Sequence, residues 1–138
     1  MKKFIIYLLT GFIFLAYGNE IIIKDPWIRA VPPSSKNTAL FMTIVNKSDK
    51  QDSLISVKTD IAKMVMIHKT VEENGIMKMK HVDNLFIPPH SEVKLKPGGL
   101  HIMIMGLKRP IKEGEKVKIN LFFKNSGNIE ILAPVLRR

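Results

Sequence analysis

The 138-residue sequence contains no cysteine. That absence excludes a disulfide framework, the usual staple of small exported domains, so the core must hold by packing alone. It also excludes a thiolate nucleophile and a blue-copper centre, both of which need a cysteine sulfur. A lipid attached to a cysteine at a leader cleavage site is excluded for the same reason. Aromatic residues are scarce, at 7% with one Trp and two Tyr, and no Arg-plus-aromatic cluster suited to stacking nucleic-acid bases is visible. Acidic residues are few beside basic ones: 12 Asp and Glu against 22 Lys and Arg give a net charge of +10. The lysines are spread along the whole chain and read as a solvated coat rather than as a surface for acidic partners or anionic lipid heads. Enzyme signatures are missing too. There is no Ser-His-Asp ordering, no motif of paired carboxylates and no zinc-hydrolase ligand set.

What is present begins with a leader. Lys2 and Lys3 precede a largely apolar stretch from Phe4 to Leu15, followed by Ala16-Tyr17-Gly18. A charged start, a short greasy middle and small residues at the −3 and −1 positions describe a secretory signal peptide over residues 1–18, cut after Gly18. The stretch is shorter than the ~20 apolar residues that span a bilayer, so no stable membrane insertion is expected after cleavage. Removing Lys2 and Lys3 lowers the charge from +10 to +8.

Residues 19–138 carry no long amphipathic helical pattern, internal repeat or linker, and are expected to form one all-β domain, monomeric and periplasmic. Short stretches rich in Ile, Val, Leu, Phe and Met alternate with turn residues roughly every 8–12 positions, the pattern of a β-sandwich. Nine strands are predicted: 21–30, 39–46, 52–59, 64–71, 76–82, 92–95, 101–105, 116–123 and 128–133. Asn74-Gly75 is the strongest local hairpin signal, because a type I′ turn needs positive φ at both central residues. That turn pairs Glu73 with Ile76, Thr70 with Met79 and His68 with His81. Strand alternation then puts Met64, Met66, His68, Thr70, Met77, Met79 and His81 on one face.

A second cluster, His101-Ile102-Met103, follows the tight Pro97-Gly98-Gly99 loop and presents His101 and Met103 on one side of a strand. A hairpin carrying His and Met beside a His-x-Met strand makes a four-ligand metal site. Thioethers are soft and suit Cu(I), and no carboxylate lies in either cluster; zinc would recruit Cys, His or a carboxylate instead. On the residues alone, His81 opposite His68 is a competing ligand. Met64, Met66, Met77 and Met105 are either packing residues or a thioether apron around the ion. Met42 is expected in the core, His90 on the surface, and Trp27 buried with the nearby Arg29 packed on it rather than facing a partner.

The spacing of His68, Met79, His101 and Met103 resembles the H-x10-M-x21-H-x-M signature of the PCuAC-type periplasmic copper chaperones. Trp27-Ile28-Arg29-Ala30 with Pro32-Pro33, Asn46, Asp52-Ser53-Leu54, the segment from Glu73 to Met79 and that from Leu95 to Met103 are similar to the same family. The resemblance covers essentially the whole exported region. It implies a cupredoxin-like, Ig-like antiparallel β-sandwich, Cu(I) held by His68, Met79, His101 and Met103, and His81 beside the site rather than in it. It further implies copper delivery to the dinuclear centre of cytochrome c oxidase, alongside a Sco-type thiol protein. A His/Met-rich tail borne by some relatives has no counterpart in Ala133–Arg138, so no tail-borne second copper is expected. Two other functions fit the same sequence: a copper-sequestering protein without a dedicated recipient, and a metal-free β-sandwich interaction module.

Overall fold

The computed structural model describes residues 20–138, all of them strand, turn or irregular; the leader expected over residues 1–18 lies outside the described residues. Ten strands form: β1 (Ile21–Arg29), β2 (Asn37–Asn46), β3 (Asp52–Lys58), β4 (Ala62–Glu73), β5 (Ile76–His81), β6 (Leu85–Ile87), β7 (Ser91–Leu95), β8 (Leu100–Leu107), β9 (Lys116–Phe123) and β10 (Gly127–Leu136). They run in the order β5-β4-β8-β2-β1-β10-β9-β3-β6, with β7 also paired to β2. A short parallel pairing, Ile28 with Val135 and Arg29 with Leu136, joins the two layers of the sandwich; every other pairing is antiparallel.

The core follows from strand alternation. Ile28, Leu40, Met42, Ile44, Ile67, Ile102 and Ile104 point inward from one layer; Leu54, Ile87, Val117, Ile119, Leu121 and Phe123 point inward from the other. Burying side chains of this size stabilises by about 1.5–3 kcal/mol each, which is how the domain dispenses with disulfides. Their sequence neighbours on β4 and β8 necessarily face the other way. The candidate ligands therefore lie on the outer face of the first layer, not between the layers.

Two details of that layer shape the outer face. In β1 the register against β2 slips by one residue between Lys24 and Trp27, where Asp25 takes a φ of 49° and Pro26 lacks an N–H. The bulge moves the inward set from Ile21 and Ile23 to Ile28, and turns Trp27 outward onto Phe41. Their ring centroids are 4.7 Å apart. Trp27, Ala39 and Phe41 form a second, small buried cluster on this outer face, with Met103 and Leu136 packed against it.

Asn46 fixes the far end of β2. Its side chain is fully buried, donates to the carbonyls of Lys50 and Ile87 and accepts from the backbone and hydroxyl of Ser48. One observed strand is missing from the sequence reading: β6 is only three residues, Leu85-Phe86-Ile87, too short to show a period between Asp83-Asn84 and Pro88-Pro89.

Candidate metal centre

The β4–β5 hairpin forms as its turn dictates. Asn74 and Gly75 have φ of 53° and 79°, and the register pairs Glu73 with Ile76, Thr70 with Met79 and His68 with His81. On its other side β4 pairs with β8, placing His68 opposite His101, Met66 opposite Met103 and Met64 opposite Met105. Three imidazoles thus lie in one row across β5, β4 and β8. The His68 ring stands edge-on to both neighbours, 5.8 Å from His101 and 6.2 Å from His81 between centroids. Met79 adjoins this row on one side and Met103 on the other.

A turn holds His101. Gly99 N–H donates to the Lys96 carbonyl at 3.0 Å, and Gly98 at φ 84° supplies the left-handed third position after Pro97 that a type II turn requires. The Gly99 carbonyl then accepts twice: from Thr70 N–H at 3.3 Å and from His101 Nδ1 at 2.9 Å. A carbonyl can only accept, so the proton of neutral His101 sits on Nδ1 and Nε2 is left with a bare lone pair. Gly98→Ala meets no side chain, so its cost is the left-handed backbone alone, about 1–2 kcal/mol. A thermal melt should show that loss; the same turn orients His101, so a metal held by that ring should bind more weakly as well.

Burial decides what these nitrogens can do. His101 is 5% exposed. His101 Nε2 and His68 Nδ1 are both buried without a hydrogen-bond partner, and a buried polar atom left unpaired costs about 1–3 kcal/mol. Burial, and then the nearby His101 and His81 rings, push the His68 pKa below the ordinary imidazole range, so His68 is neutral at pH 7 and able to donate a lone pair. Met79, His101 and Met103 line a cavity of about 220 Å³ together with Thr70, Phe41 and the Pro97-Gly98 turn; His68 stands beside it, between His81 and His101. His81 lies at the open edge, its Nε2 2.8 Å from Asp83 Oδ1 and its side chain 46% exposed.

Among the described residues, no three His, Asp or Glu side chains gather closely enough to hold an ion. The only sulfur donors in the chain are its methionines. The remaining residues fall where expected, with one exception. Met42 is in the core at 2% exposure, and His90 is exposed and paired with Asp49. Trp27 is buried, but the arginine over its ring is Arg138, at 4.8 Å. Arg29, two residues after Trp27, instead covers Phe41 at 5.1 Å. The sequence offered no signal for this exchange, because it depends on the parallel pairing of β1 with the C-terminal strand.

The family model described as "Putative lipoprotein LpqE-like" matches residues 21–135. Lxx21020 of Leifsonia xyli subsp. xyli is 32% identical over 119 residues, which are 86% of this chain and 70% of that protein. Among solved structures, the copper-bound PCuAC domain from PmoF2 superposes with a TM-score of 0.75 at 28% identity, over 87% of this chain and 95% of that one. The solution structure of the Cu(I) form of DR1885 from Deinococcus radiodurans superposes with a TM-score of 0.70 at 37% identity, over 85% and 78% respectively. This chain belongs to the LpqE-like family, with the fold of the PCuAC-type copper chaperones.

Proposed function

We propose that this chain is an exported copper carrier, a metallochaperone and not a catalyst, which holds one Cu(I) between His68 Nδ1, Met79, His101 Nε2 and Met103. The observation that carries the reading is the pair of buried, unpartnered ring nitrogens set between two thioethers. Nothing in the fold repays their burial, whereas a soft monovalent ion would. All four donors are neutral, so the ion keeps its single charge, and two thioethers disfavour Cu(II). The likeness to a copper-bound domain and to a Cu(I) form supports the same reading.

The ligands differ in how firmly they are held, and that difference suits transfer. His101 is buried and tied to Gly99, whereas Met79 is 58% exposed on the hairpin. A recipient's ligand approaches the ion from the Met79 side, displaces that thioether first, and leaves His101 to release last. Such stepwise exchange needs no electron transfer. The recipient is the copper centre of a respiratory oxidase, with a Sco-type thiol protein as a second partner; this step rests on the family resemblance.

Titration of the protein with Cu(I) against a colorimetric chelator should give one tight equivalent that Zn(II) does not displace, and X-ray absorption should find sulfur and nitrogen neighbours together. Protons compete with the ion for imidazole, so affinity falls as pH falls. Because the His68 pKa is lowered, its share of that loss comes below the ordinary value of about 6.5. Affinity that stays level from pH 7 to pH 4 would mean an all-methionine site and overturn the ligand set.

A further inference from the structure

The outer face of β4 and β8 carries more sulfur than one ion uses. Next to the row of His68 and His101 comes Met66 opposite Met103, and next to that Met64 opposite Met105. Alternation with Val65, Ile67, Ile102 and Ile104 turns all four methionines away from the core. Cross-strand neighbours have Cβ atoms about 4.5–5.5 Å apart, and the three flexible bonds of Met let thioethers from adjacent rows reach a common point.

Packing does not account for three of these side chains. The core methionine of this protein, Met42, is 2% exposed, whereas Met64 is 54% exposed. Met103 packs on the cluster of Trp27, Ala39 and Phe41. Met66 and Met105 are only partly covered, and they pack against neither buried cluster. Strand β5 ends at His81, and its pairing with β4 stops at His68, so neither Met66 nor Met64 has a partner on β5. Leu would fill these positions as well; what Met adds is a soft donor.

We propose that Met64, Met66 and Met105 form a second Cu(I) site, weaker than the first and joined to it by Met103, whose thioether faces both. This inference rests on the copper-carrier reading above. With three thioethers and no imidazole the second site binds less tightly, and without an imidazole it does not compete with protons. An ion held there lies one residue pair from His68 and His101. It reaches the first site by exchanging thioethers at Met103, with no change in oxidation state.

The test is a Cu(I) titration of the full chain labelled at its methionine methyl groups and followed by NMR. A first equivalent should shift Met79 and Met103; a second, bound about tenfold or more weakly, should shift Met64, Met66 and Met105 and persist at pH 5. The double variant Met64→Leu/Met105→Leu should lose the second equivalent and keep the first within about threefold, since Met-to-Leu changes conserve volume; the retained first equivalent also reports that the fold is intact. Binding of one equivalent only, or a second that survives in the double variant or leaves those methyls unshifted, overturns the second site and leaves the first standing. Absence of any tight equivalent overturns both.

Discussion

Met103→Leu should lower Cu(I) affinity at the proposed site by about a hundredfold or more, because losing even a hydrogen bond that merely supports a metal ligand costs about 10–100-fold. The substitution keeps volume and apolarity, so its cost to the fold stays below about 1.5 kcal/mol, although Met103 does pack against Trp27, Ala39 and Phe41. Met79→Leu has a smaller effect, about tenfold. Met79 is mostly exposed at the open side, where water or a neighbouring thioether can take its place. Met42→Leu, deep in the core, is the control and leaves affinity unchanged. Competition titrations of the three variants give the order directly. If Met79→Leu and Met103→Leu both bind as tightly as the parent, the ion is elsewhere and the copper-carrier reading loses its chemical basis.

That order depends on information of two kinds, only one of which was legible in the sequence. The hairpin register could be read because Asn74-Gly75 fixes it locally, and His68, Thr70, Met79 and His81 pair as the turn requires. The shared face of His101 and Met103 could be read because a strand has period two. Which strand lies beside β4 could not. The pairing of His68 with His101 joins segments 33 residues apart, and no local rule specifies it; the sequence reading joined the two clusters on their matching donors and on the family resemblance. The row of three imidazoles follows from that tertiary pairing.

Other misses have local causes. The bulge at Asp25-Pro26 was masked because the stretch before and after it is apolar enough to read as one strand. Strand β10 continues through Pro134, which pairs with Lys116, although a proline ordinarily argues for stopping. The parallel pairing with β1 begins at the next residue, Val135, and holds this end of the strand in place.

Asp52→Ala should cost about 3 kcal/mol of stability, because it removes four hydrogen bonds to one buried carboxylate at once. Asp52 is 4% exposed. Its Oδ1 accepts from Ser53 and Asn125 N–H, each at 2.8 Å, and its Oδ2 accepts from Ser126 N–H at 3.0 Å and Ser126 Oγ at 2.6 Å. The carboxylate therefore fastens the turn between β9 and β10 to the start of β3. Burial by itself would raise its pKa, and that is the largest single influence; the Ser126 hydroxyl and the three backbone N–H groups together outweigh it, and the pKa is lowered. A lowered carboxylate pKa contributes stability that is present above the unfolded value of about 3.9 and is lost as pH falls through the folded value. The parent should thus lose stability below about pH 4 by an amount that Asp52→Ala has already lost, and urea midpoints of the two should converge in acid. Asp52 belongs to the opposite layer from the metal centre, so the folded variant should bind Cu(I) as the parent does. An ion bound only by the folded state stabilises it by about 2.7 kcal/mol at a hundred times its Kd. Copper should accordingly restore much of the thermal stability that Asp52→Ala removes, while at the same free copper Met103→Leu should gain far less. A Met103→Leu protein stabilised by copper as strongly as Asp52→Ala would contradict the assignment of Met103 as a ligand, by a measurement that needs no recipient protein.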